Sequence, residues 1–275
     1  MNCWHHPEPE QAPVVSRPIL RWRNSQWVEE QDSLAVESPI SLEFNGISHA
    51  VMLATPSDLE SFALGFALSE GIVDQRHDFR GAEIEKSDAG ITVKCEISNA
   101  AFMRMKERRR NLAGRTGCGI CGLESLSQVL RPLPCVENAP SISVPAIQAA
   151  LQTLSRMQPL AGLTGGMHAA AWSDTQGLLK DLSEDVGRHN ALDKLIGKMA
   201  GKDLGFREGF LLITSRASVE MVQKAVTMGI SSMVAISAPT SLAVETAEAS
   251  GMTLIAFARG RDFVAYTHAG RIREE

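Results

Sequence analysis

Two cysteines spaced three residues apart are the side chains of this 275-residue chain best suited to covalent chemistry. Cys118 and Cys121 lie in the segment Gly117-Cys118-Gly119-Ile120-Cys121-Gly122, where flanking glycines leave the sulfur atoms open to another macromolecule. The thiolate is the form that acts as a nucleophile and metal ligand, and nearby cationic side chains favour it. The pair therefore suits sulfur transfer, redox exchange or metal binding.

Three interpretations of the Cys118–Cys121 pair compete. A structural zinc site needs about two further ligands, and Cys135, His168 and His189 do not have finger-like spacing. A thioredoxin-type dithiol normally begins a helix directly after a strand, a context that this loop lacks. The third interpretation is a relay in which one thiolate holds a persulfide. Spacing alone does not decide among them.

A basic run precedes the two cysteines in a chain whose net charge is −5. Residues 104–115 contain six Lys or Arg residues and one acidic residue, Glu107. Such a run is usually a solvated helix face. Beside two thiols it also suits the docking of an anionic group, and both interpretations stay open.

Two histidines occur in motifs that also contain glycine. His168 follows a glycine turn in LTGGMHAAAW, and His189 lies among acids and an arginine in EDVGRHNALDK, ahead of a helix predicted from 190 to about 199. An isolated histidine is more often a hydrogen-bonded structural residue than a catalytic one. The charged neighbours of His189 could orient it or bind a ligand beside it, so both histidines are candidate cofactor-binding residues.

Three short apolar runs near the C-terminal end, over 210–214, 233–236 and 254–257, predict parallel strands. Helices predicted from Ser218 to about 228 and from about 241 to 249 lie between them, so helices should cover both faces of the sheet. Ligands of open α/β sheets bind beyond the carboxyl ends of the strands.

The residues that follow these three strands predict a phosphate-bearing ligand, such as a nucleotide. Hydroxyls, guanidinium groups and helix N-terminal N–H groups all bind phosphate. Helix capping by Ser218 and Ser241 explains the serines but not the arginines. The candidate ligand-binding residues are Ser215, Arg216, Ser218, Arg259, Gly260, Arg261 and Asp262, of which Asp262 could accept from a base or a ribose.

The N-terminal half predicts an α+β module that begins with a β-hairpin. Alternating runs at 40–44 and 47–53 flank Asn45-Gly46, the strongest short hairpin signal because a type I′ turn needs positive φ at both positions. The preceding residues, 1–18, contain several prolines and no periodicity, which predicts a flexible tail.

A helix and a third strand follow the hairpin. Thr55-Pro56-Ser57-Asp58 offers an N-cap and a proline at the first helical position, predicting a helix that continues to about Glu70 and stops at Gly71. An alternating strand over 91–97 places Cys95 on the apolar face as a buried structural thiol.

Composition predicts a soluble, cytoplasmic protein. Apolar residues make up 44% and charged residues 21%, which rules out wholesale disorder, and the net negative charge rules out a generally basic nucleic-acid coat. No apolar run approaches the roughly 18 residues of a membrane span, and no secretory signal is visible. Five cysteines are too sparse for a disulfide scaffold and fit a reducing compartment.

Taken together, the motifs resemble those of the FdhD-type formate dehydrogenase accessory sulfurtransferases. The resemblance covers the chain from about residue 35 onward and rests on 45–72, KERRRNLAGRTGCGICG, LTGGMHAAAW, EDVGRHNALDKLIG and SRASVEMVQKA. That family carries sulfur from a cysteine desulfurase to the molybdenum cofactor, bis-molybdopterin guanine dinucleotide, before the cofactor enters formate dehydrogenase.

The resemblance implies roles for particular residues. Cys118 matches the persulfide-bearing cysteine, Cys121 matches its partner, and Phe257–Asp262, with Ala258 among them, matches the cofactor-binding stretch. GDP is implied as a surrogate for the cofactor, with no resident metal. The expected partners are a cysteine desulfurase, formate dehydrogenase and a second copy of the chain in a homodimer.

The resemblance also implies an α/β fold with a cytidine-deaminase-like C-terminal domain, three-layered around a mostly parallel sheet. The expected divisions are a tail over 1–18, a smaller α+β domain over 19–110, a C-x-x-C loop and junction over 111–140, and the cofactor-binding domain over 141–275.

Deaminase activity is not expected from that likeness of fold. Zinc deaminases need H-x-E followed by P-C-x-x-C, whereas His168 is followed by Ala169-Ala170 and the C-x-x-C lies upstream of the histidine. Two alternatives to sulfur transfer remain: a chaperone that binds the molybdenum cofactor without sulfur chemistry, and a zinc-stabilised interaction module.

Overall fold

The computed structural model describes residues 12–113, 132–136 and 139–275. Its first element is an antiparallel ribbon of β1 (Val14–Arg23) and β2 (Gln26–Ala35), joined by a tight turn. Asn24 and Ser25 at that turn both have positive φ, of 50° and 61°. The predicted flexible tail is therefore wrong for Val14 to Pro18, because these residues pair along β2; residues 1–11 lie outside the described part of the chain.

A four-stranded sheet with the order β4-β3-β6-β5 follows the ribbon. The predicted hairpin is confirmed: β3 and β4 pair antiparallel across Asn45 and Gly46, whose φ angles are 45° and 80°. The third strand is confirmed too, and Cys95 is buried in it. The strands are β3 (Ser38–Phe44), β4 (Ile47–Ala54), β5 (Phe79–Ser87) and β6 (Gly90–Ile97).

Two helices belong to this part of the chain, α1 (Leu59–Ser69) and α2 (Asn99–Ala113). The predicted helix end is confirmed, since Gly71 adopts a φ of 65° just beyond α1. The predicted start is wrong, because the helix begins after Asp58 rather than at Pro56. A short 3₁₀ turn, Arg76–Asp78, leads into β5.

The second sheet has six strands in the order β13-β12-β11-β10-β8-β9. The parallel pairing of β10, β11 and β12 is confirmed, but β8, β9 and β13 pair antiparallel, so the expectation of a mostly parallel sheet is wrong. The strands are β8 (His168–Ser173), β9 (Leu179–Asp185), β10 (Phe210–Ile213), β11 (Ser232–Ala235), β12 (Thr253–Arg259) and β13 (Asp262–Ala265).

Helices cover both faces of this sheet, giving three layers. One face packs on α3 through a core that includes Ile147 and Phe210, and the other packs on the remaining long helices through a core that includes Leu195 and Met233. The helices are α3 (Val144–Leu154), α4 (Pro159–Thr164), α5 (Arg188–Gly201), α6 (Val219–Thr227) and α7 (Ser241–Ala249). Short β7 (Ile142–Ser143) and β14 (Ile272–Arg273) pair in parallel beside a 3₁₀ turn, Ala269–Arg271.

The two sheets share one hydrophobic core, and α1 crosses α5 at glycines that bring their backbones together. A methyl group added at Gly65 would lie 1.7 Å from the Asp193 carbonyl oxygen, and one at Gly197 would lie 1.8 Å from that of Ser61. Neither position can therefore hold a larger residue without separating the helices. None of the described helices is long and apolar enough to cross a membrane.

Candidate functional site

One edge of the six-stranded sheet collects most of the candidate residues. The carboxyl ends of β10, β11 and β12 lie at this edge because the three strands are parallel, and β8 starts there because it runs the opposite way. Thr214 marks the junction: its backbone N–H donates to the Ala169 carbonyl, and its hydroxyl accepts from the Ala169 N–H. Adjacent strand-end loops are joined as well, through Ala217 and Pro239.

The candidate residues separate into two groups along this edge. His168, at the start of β8, lies three strands from β12, which corresponds to about 14 Å across a sheet. The group at the end of β12 opens toward α3, whereas the group around His168 lies at the starts of α5 and α6, on the opposite face. The sequence predicted a single edge but not this division.

A cavity of about 710 Å³ lies at the end of β12 and is lined by Arg259, Gly260 and Arg261. Both arginine side chains are exposed, and neither forms an ion pair with a carboxylate of the described residues. The volume is within the usual range of ligand pockets, and two unpaired guanidinium groups suit a phosphate. Of the residues predicted to bind phosphate, Arg259, Gly260 and Arg261 therefore line a cavity, whereas Ser215, Arg216, Ser218 and Asp262 are not among its lining residues. Phosphate binding itself stays a prediction.

Helix α3 supplies the other polar wall of this cavity with Gln148, Gln152 and, just past its end, Ser155. The Gln148 side-chain amide donates to the Arg261 carbonyl oxygen over 3.2 Å, tying the loop to the helix. Sequence reasoning missed these residues because polar residues opposite a buried helix face are the ordinary pattern of any surface helix.

The strand-end loop itself is irregular. Phe257 has a φ of 52°, and the pairing of β12 with β13 shifts register between Ala256 and Arg259. Positive φ is uncommon for a bulky residue, and here the irregularity leaves the Phe257 ring exposed while Ala258 is buried. Asp262 lies opposite Arg259 in the backbone register of the resulting hairpin, and its side chain is exposed.

The loop after β10 contributes fewer side chains to the cavity than its sequence suggests. Ser215 is buried and donates its hydroxyl to the Arg216 carbonyl oxygen, while the Arg216 side chain is exposed. Ser218 occupies the N-cap position of α6 as predicted, although its side chain makes no capping hydrogen bond. The expected cap at Ser241 is wrong: Thr240 is the N-cap of α7, and its hydroxyl accepts from the Ala243 N–H.

The second group, which we call the histidine cluster, consists of His168, Arg188, His189, Ser218 and Glu220. Burial lowers the pKa of His189 to about 4, with help from the neighbouring Arg188 guanidinium, and burial followed by Arg188 also lowers the pKa of His168. Both imidazoles are therefore neutral at pH 7.

Glu220 supplies the negative charge of the histidine cluster. Burial opposes its ionisation, but the Ser218 hydroxyl, its own backbone N–H, His189 and Arg188 outweigh burial and lower its pKa. Two nitrogens remain available: Arg188 Nε and His189 Nε2 are buried and have no hydrogen-bond partner within the described ranges. Arg188 was noted in the sequence as a charged neighbour of His189, but Glu220 carried no distinguishing signal, because charged residues are common in the first turn of a helix.

The other charges of EDVGRHNALDK are used to build the fold. Asp185 and Lys194 form a fully buried ion pair at 2.6 Å, and Lys194 also donates to the Thr55 carbonyl oxygen. The Asp185 carboxylate accepts from the backbone N–H groups of Thr55 and Gly187. These contacts tie the loop before α1 to the start of α5.

Two further acids of this motif have structural partners. Glu184 accepts from the N–H groups of Leu160 and Ala161, at the start of α4. Asp193 accepts from Lys224 of α6, whose ammonium also pairs with Glu70 just past α1. Burial disfavours the charged Lys224, but Asp193 and Glu70 outweigh it and raise the Lys224 pKa.

The remaining candidate residues concern sulfur. Cys118 and Cys121 lie outside the described residues. Burial raises the pKa of Cys95 to about 12, which makes it an inert structural thiol, and Cys135 is exposed. Within the described ranges, no three His, Cys, Asp or Glu side chains are grouped as a metal site.

The described part of the basic run is anchored to the fold. Arg108 donates to the Gly71 carbonyl oxygen over 2.7 Å, and Arg104 pairs with Asp74 at 2.7 Å. Lys106 lies over the Phe102 ring. These contacts favour the interpretation of residues 104–108 as an ordinary helix face.

Comparison with known proteins defines the class of this chain. The FdhD/NarQ family model matches residues 35–273, so the chain belongs to that family and the resemblance seen in its motifs is confirmed.

Among relatives, the sulfur carrier protein FdhD of Variovorax paradoxus is 51% identical over 255 residues, covering 93% of this chain and 92% of the relative. That of Bordetella petrii is 46% identical over 275 residues, covering 99% of both chains. A solved structure, of a putative formate dehydrogenase accessory protein from Desulfotalea psychrophila, superimposes with a TM-score of 0.75 at 21% identity, covering 95% of this chain and all of that one.

Proposed function

We propose that this protein is a sulfur carrier for the maturation of formate dehydrogenase. The observation that carries the proposal is its sequence identity of 51% and 46%, over almost its whole length, to two proteins named sulfur carrier protein FdhD. The sulfur donor is a cysteine desulfurase, and the acceptor is the molybdenum cofactor, bis-molybdopterin guanine dinucleotide, which is the substrate here and not a resident cofactor.

The loading step is a thiol–persulfide exchange at Cys118. The Cys118 thiolate attacks the terminal sulfur of the desulfurase persulfide, a new S–S bond forms, and the desulfurase cysteine leaves as a thiolate. The exchange conserves electrons and needs no external oxidant. Cys121 is the partner thiol, able to accept the sulfur in turn or to release it.

The strand-edge cavity is the proposed site for the guanine nucleotide part of the substrate. Arg259 and Arg261 pair with its phosphates, and the polar wall of α3 faces the same space. Asp262 accepts from the base or the ribose. The histidine cluster, on the other side of the sheet, offers neutral imidazoles and the buried Arg188 guanidinium to another part of the substrate.

Mass spectrometry of the intact protein after incubation with a desulfurase and cysteine tests the proposal. The wild type should gain the mass of one sulfur atom, and Cys118→Ala should not. Cys135→Ala is the matched control, because it removes an exposed thiol outside the motif and should load normally.

A non-catalytic chaperone for the cofactor is the alternative, and the cavity lined by Arg259 and Arg261 is the observation that would serve it equally well. Maturation of formate dehydrogenase in cells separates the two functions. A sulfur carrier loses maturation in Cys118→Ala and is impaired in Cys121→Ala, whereas a pure binder tolerates both substitutions. Full dehydrogenase activity in Cys118→Ala cells would exclude the sulfur relay.

A further inference from the structure

A second cavity, of about 660 Å³, lies at the end of the six-stranded sheet opposite the strand-edge cavity. It is lined by residues 134–136, by the last residues of α5 and α6, and by Ser231, just before β11. Because β10, β11 and β12 are parallel, the start of β11 lies away from the strand end that carries Arg259 and Arg261. This cavity is therefore separate from the proposed nucleotide site.

The wall of this second cavity is mostly apolar. Phe206 is buried and packs edge to face on Trp172, with ring centres 4.9 Å apart, which holds this part of the wall in place. The other apolar residues of the wall are Pro134, Val136, Ala200, Leu204, Val226 and Met228. An apolar wall excludes water, and a charged contact inside the cavity is stronger because less water screens it.

Two polar side chains of the wall lack partners within the part of the chain that the structure describes. Arg207 is exposed and forms no ion pair there. Ser231 is only 3% exposed, and its buried hydroxyl has no hydrogen-bond partner among the described residues. Buried hydroxyls nearly always have a partner, so the Ser231 hydroxyl indicates that a bound group belongs in this cavity.

Cys135 adds a reactive group to the same wall. Its thiol is free and exposed, whereas that of Cys95 is buried and has a pKa raised to about 12. Exposure is what allows a thiol to react, and small disulfides attach to exposed protein thiols by exchange. A thiol that shares a cavity with an unpaired guanidinium and an unpaired hydroxyl therefore suits a disulfide whose end groups are carboxylates.

We propose that this cavity takes up small disulfides that bear carboxylates and holds one half of such a molecule as a mixed disulfide with Cys135. The Cys135 thiolate attacks one sulfur of the disulfide, a new S–S bond forms, and the other half leaves as a thiolate. The exchange conserves electrons, and a second thiol reverses it. Arg207 pairs with the carboxylate of the retained half, the Ser231 hydroxyl donates to that carboxylate, and the apolar wall covers the carbon chain.

A pair of matched probes tests the proposal on the full chain. Cys3→Ala, Cys118→Ala and Cys121→Ala are combined in a triple variant, which leaves Cys135 and the inert Cys95 as its thiols. The probes are 3,3′-dithiodipropionate and bis(2-hydroxyethyl) disulfide, which end in carboxylates and in hydroxyls. Mass spectrometry gives the rate at which each modifies Cys135. Dividing that rate by the rate with N-acetylcysteinamide cancels the intrinsic reactivity of the probe.

The normalised rate in the triple variant should be at least about threefold higher for the carboxylate probe than for the hydroxyl probe. Adding Arg207→Gln should remove this preference, because the attraction to the carboxylate is lost, and high salt should weaken it. Adding Arg80→Gln instead is the matched control. It removes an exposed arginine of β5, outside the cavity, and should leave the preference unchanged.

Ser231→Ala, added to the triple variant, tests the second contact. Its hydroxyl has no partner within the described ranges, so its removal should cost little stability and should still lower the preference for the carboxylate probe at least about twofold. Equal normalised rates for the two probes, or a preference that keeps its full size in either the Arg207 or the Ser231 variant, would overturn the proposal. Because Cys118 and Cys121 are replaced in every protein tested, the outcome is separate from that of the persulfide test.

Discussion

Two charged regions at the same sheet edge differ in where their charges are neutralised. At the end of β9 and in α5, the carboxylates of Glu184, Asp185 and Asp193 all have partners within the same chain. At the end of β12, Arg259 and Arg261 face a cavity, and no described carboxylate pairs with them. Buried charges that are satisfied within the chain stabilise the fold, whereas exposed charges beside a cavity are available to a ligand.

The largest effect should come from breaking the buried pair. Lys194→Met leaves the Asp185 carboxylate buried without its cation, so the free energy of unfolding should fall by about 3–5 kcal/mol. Urea denaturation measures this loss. Lys198→Met, one turn along α5, is the control, because Lys198 pairs with the partly exposed Asp58 and should cost less than about 1 kcal/mol. Equal losses of unfolding free energy in the two variants would contradict the idea that the buried pair is more important for stability than an exposed one.

The histidine cluster combines charges that are paired within the chain with buried nitrogens that have no described partner. It should make the free energy of unfolding depend on pH. His189 has a pKa of about 4 in the folded protein and about 6.5 when unfolded. Its contribution is therefore complete above pH 6.5 and is lost as the pH falls toward 4, because the unfolded state takes up the proton first.

With a discount for partial exposure, the wild type should lose about 1–2 kcal/mol more between pH 7.5 and pH 5 than His189→Gln does. Urea denaturation at both pH values gives the difference. An identical pH dependence in the two proteins would show that His189 is not held in its neutral form.

At the cavity, a substitution should change ligand affinity and leave the stability of the fold unchanged. Arg261→Ala should weaken GDP binding about tenfold or more, since it removes a charge-assisted contact to phosphate, and leave the melting temperature unchanged. Isothermal titration calorimetry measures the affinity, and Cys118→Ala, which alters the thiol motif alone, should bind GDP as the wild type does. If all three proteins bind GDP equally, or none binds it, the cavity is not the nucleotide site.

The smallest effect concerns a hydroxyl at the same edge. Thr240→Ala should destabilise the protein by about 1 kcal/mol because the Thr240 hydroxyl caps α7. Ser241→Ala, in the first turn of that helix, should change stability by less than about 0.5 kcal/mol. Thermal unfolding compares them, and a larger loss in the serine variant would contradict the assigned cap.

The sequence predicted those features whose cause is local. The Asn45-Gly46 turn and the apolar runs of β10, β11 and β12 each carry their signal within a few residues. The position of Arg259 and Arg261 at the sheet edge could be predicted for the same reason, because parallel strands deliver their carboxyl ends to one edge. That they bind a ligand stays a prediction.

Features that depend on partners far away in the sequence could not be predicted. Asp185 resembles a site residue until Thr55 and Lys194 are seen around it. The sequence of β8 was interpreted only as a histidine motif and not as a strand. It forms a strand because it pairs with β9 on one side and β10 on the other. The ribbon of β1 and β2 was missed because Pro18 and its many exposed residues lack the alternating pattern of a half-buried strand.

The crossing of α1 and α5 at Gly65 and Gly197 has a consequence for how the two sheets can move. Because the two helix backbones are in direct contact, the four-stranded sheet and the six-stranded sheet cannot slide past each other at this point without a steric clash. A ligand at the edge of the six-stranded sheet would therefore meet a surface whose position relative to the four-stranded sheet is already set by the fold.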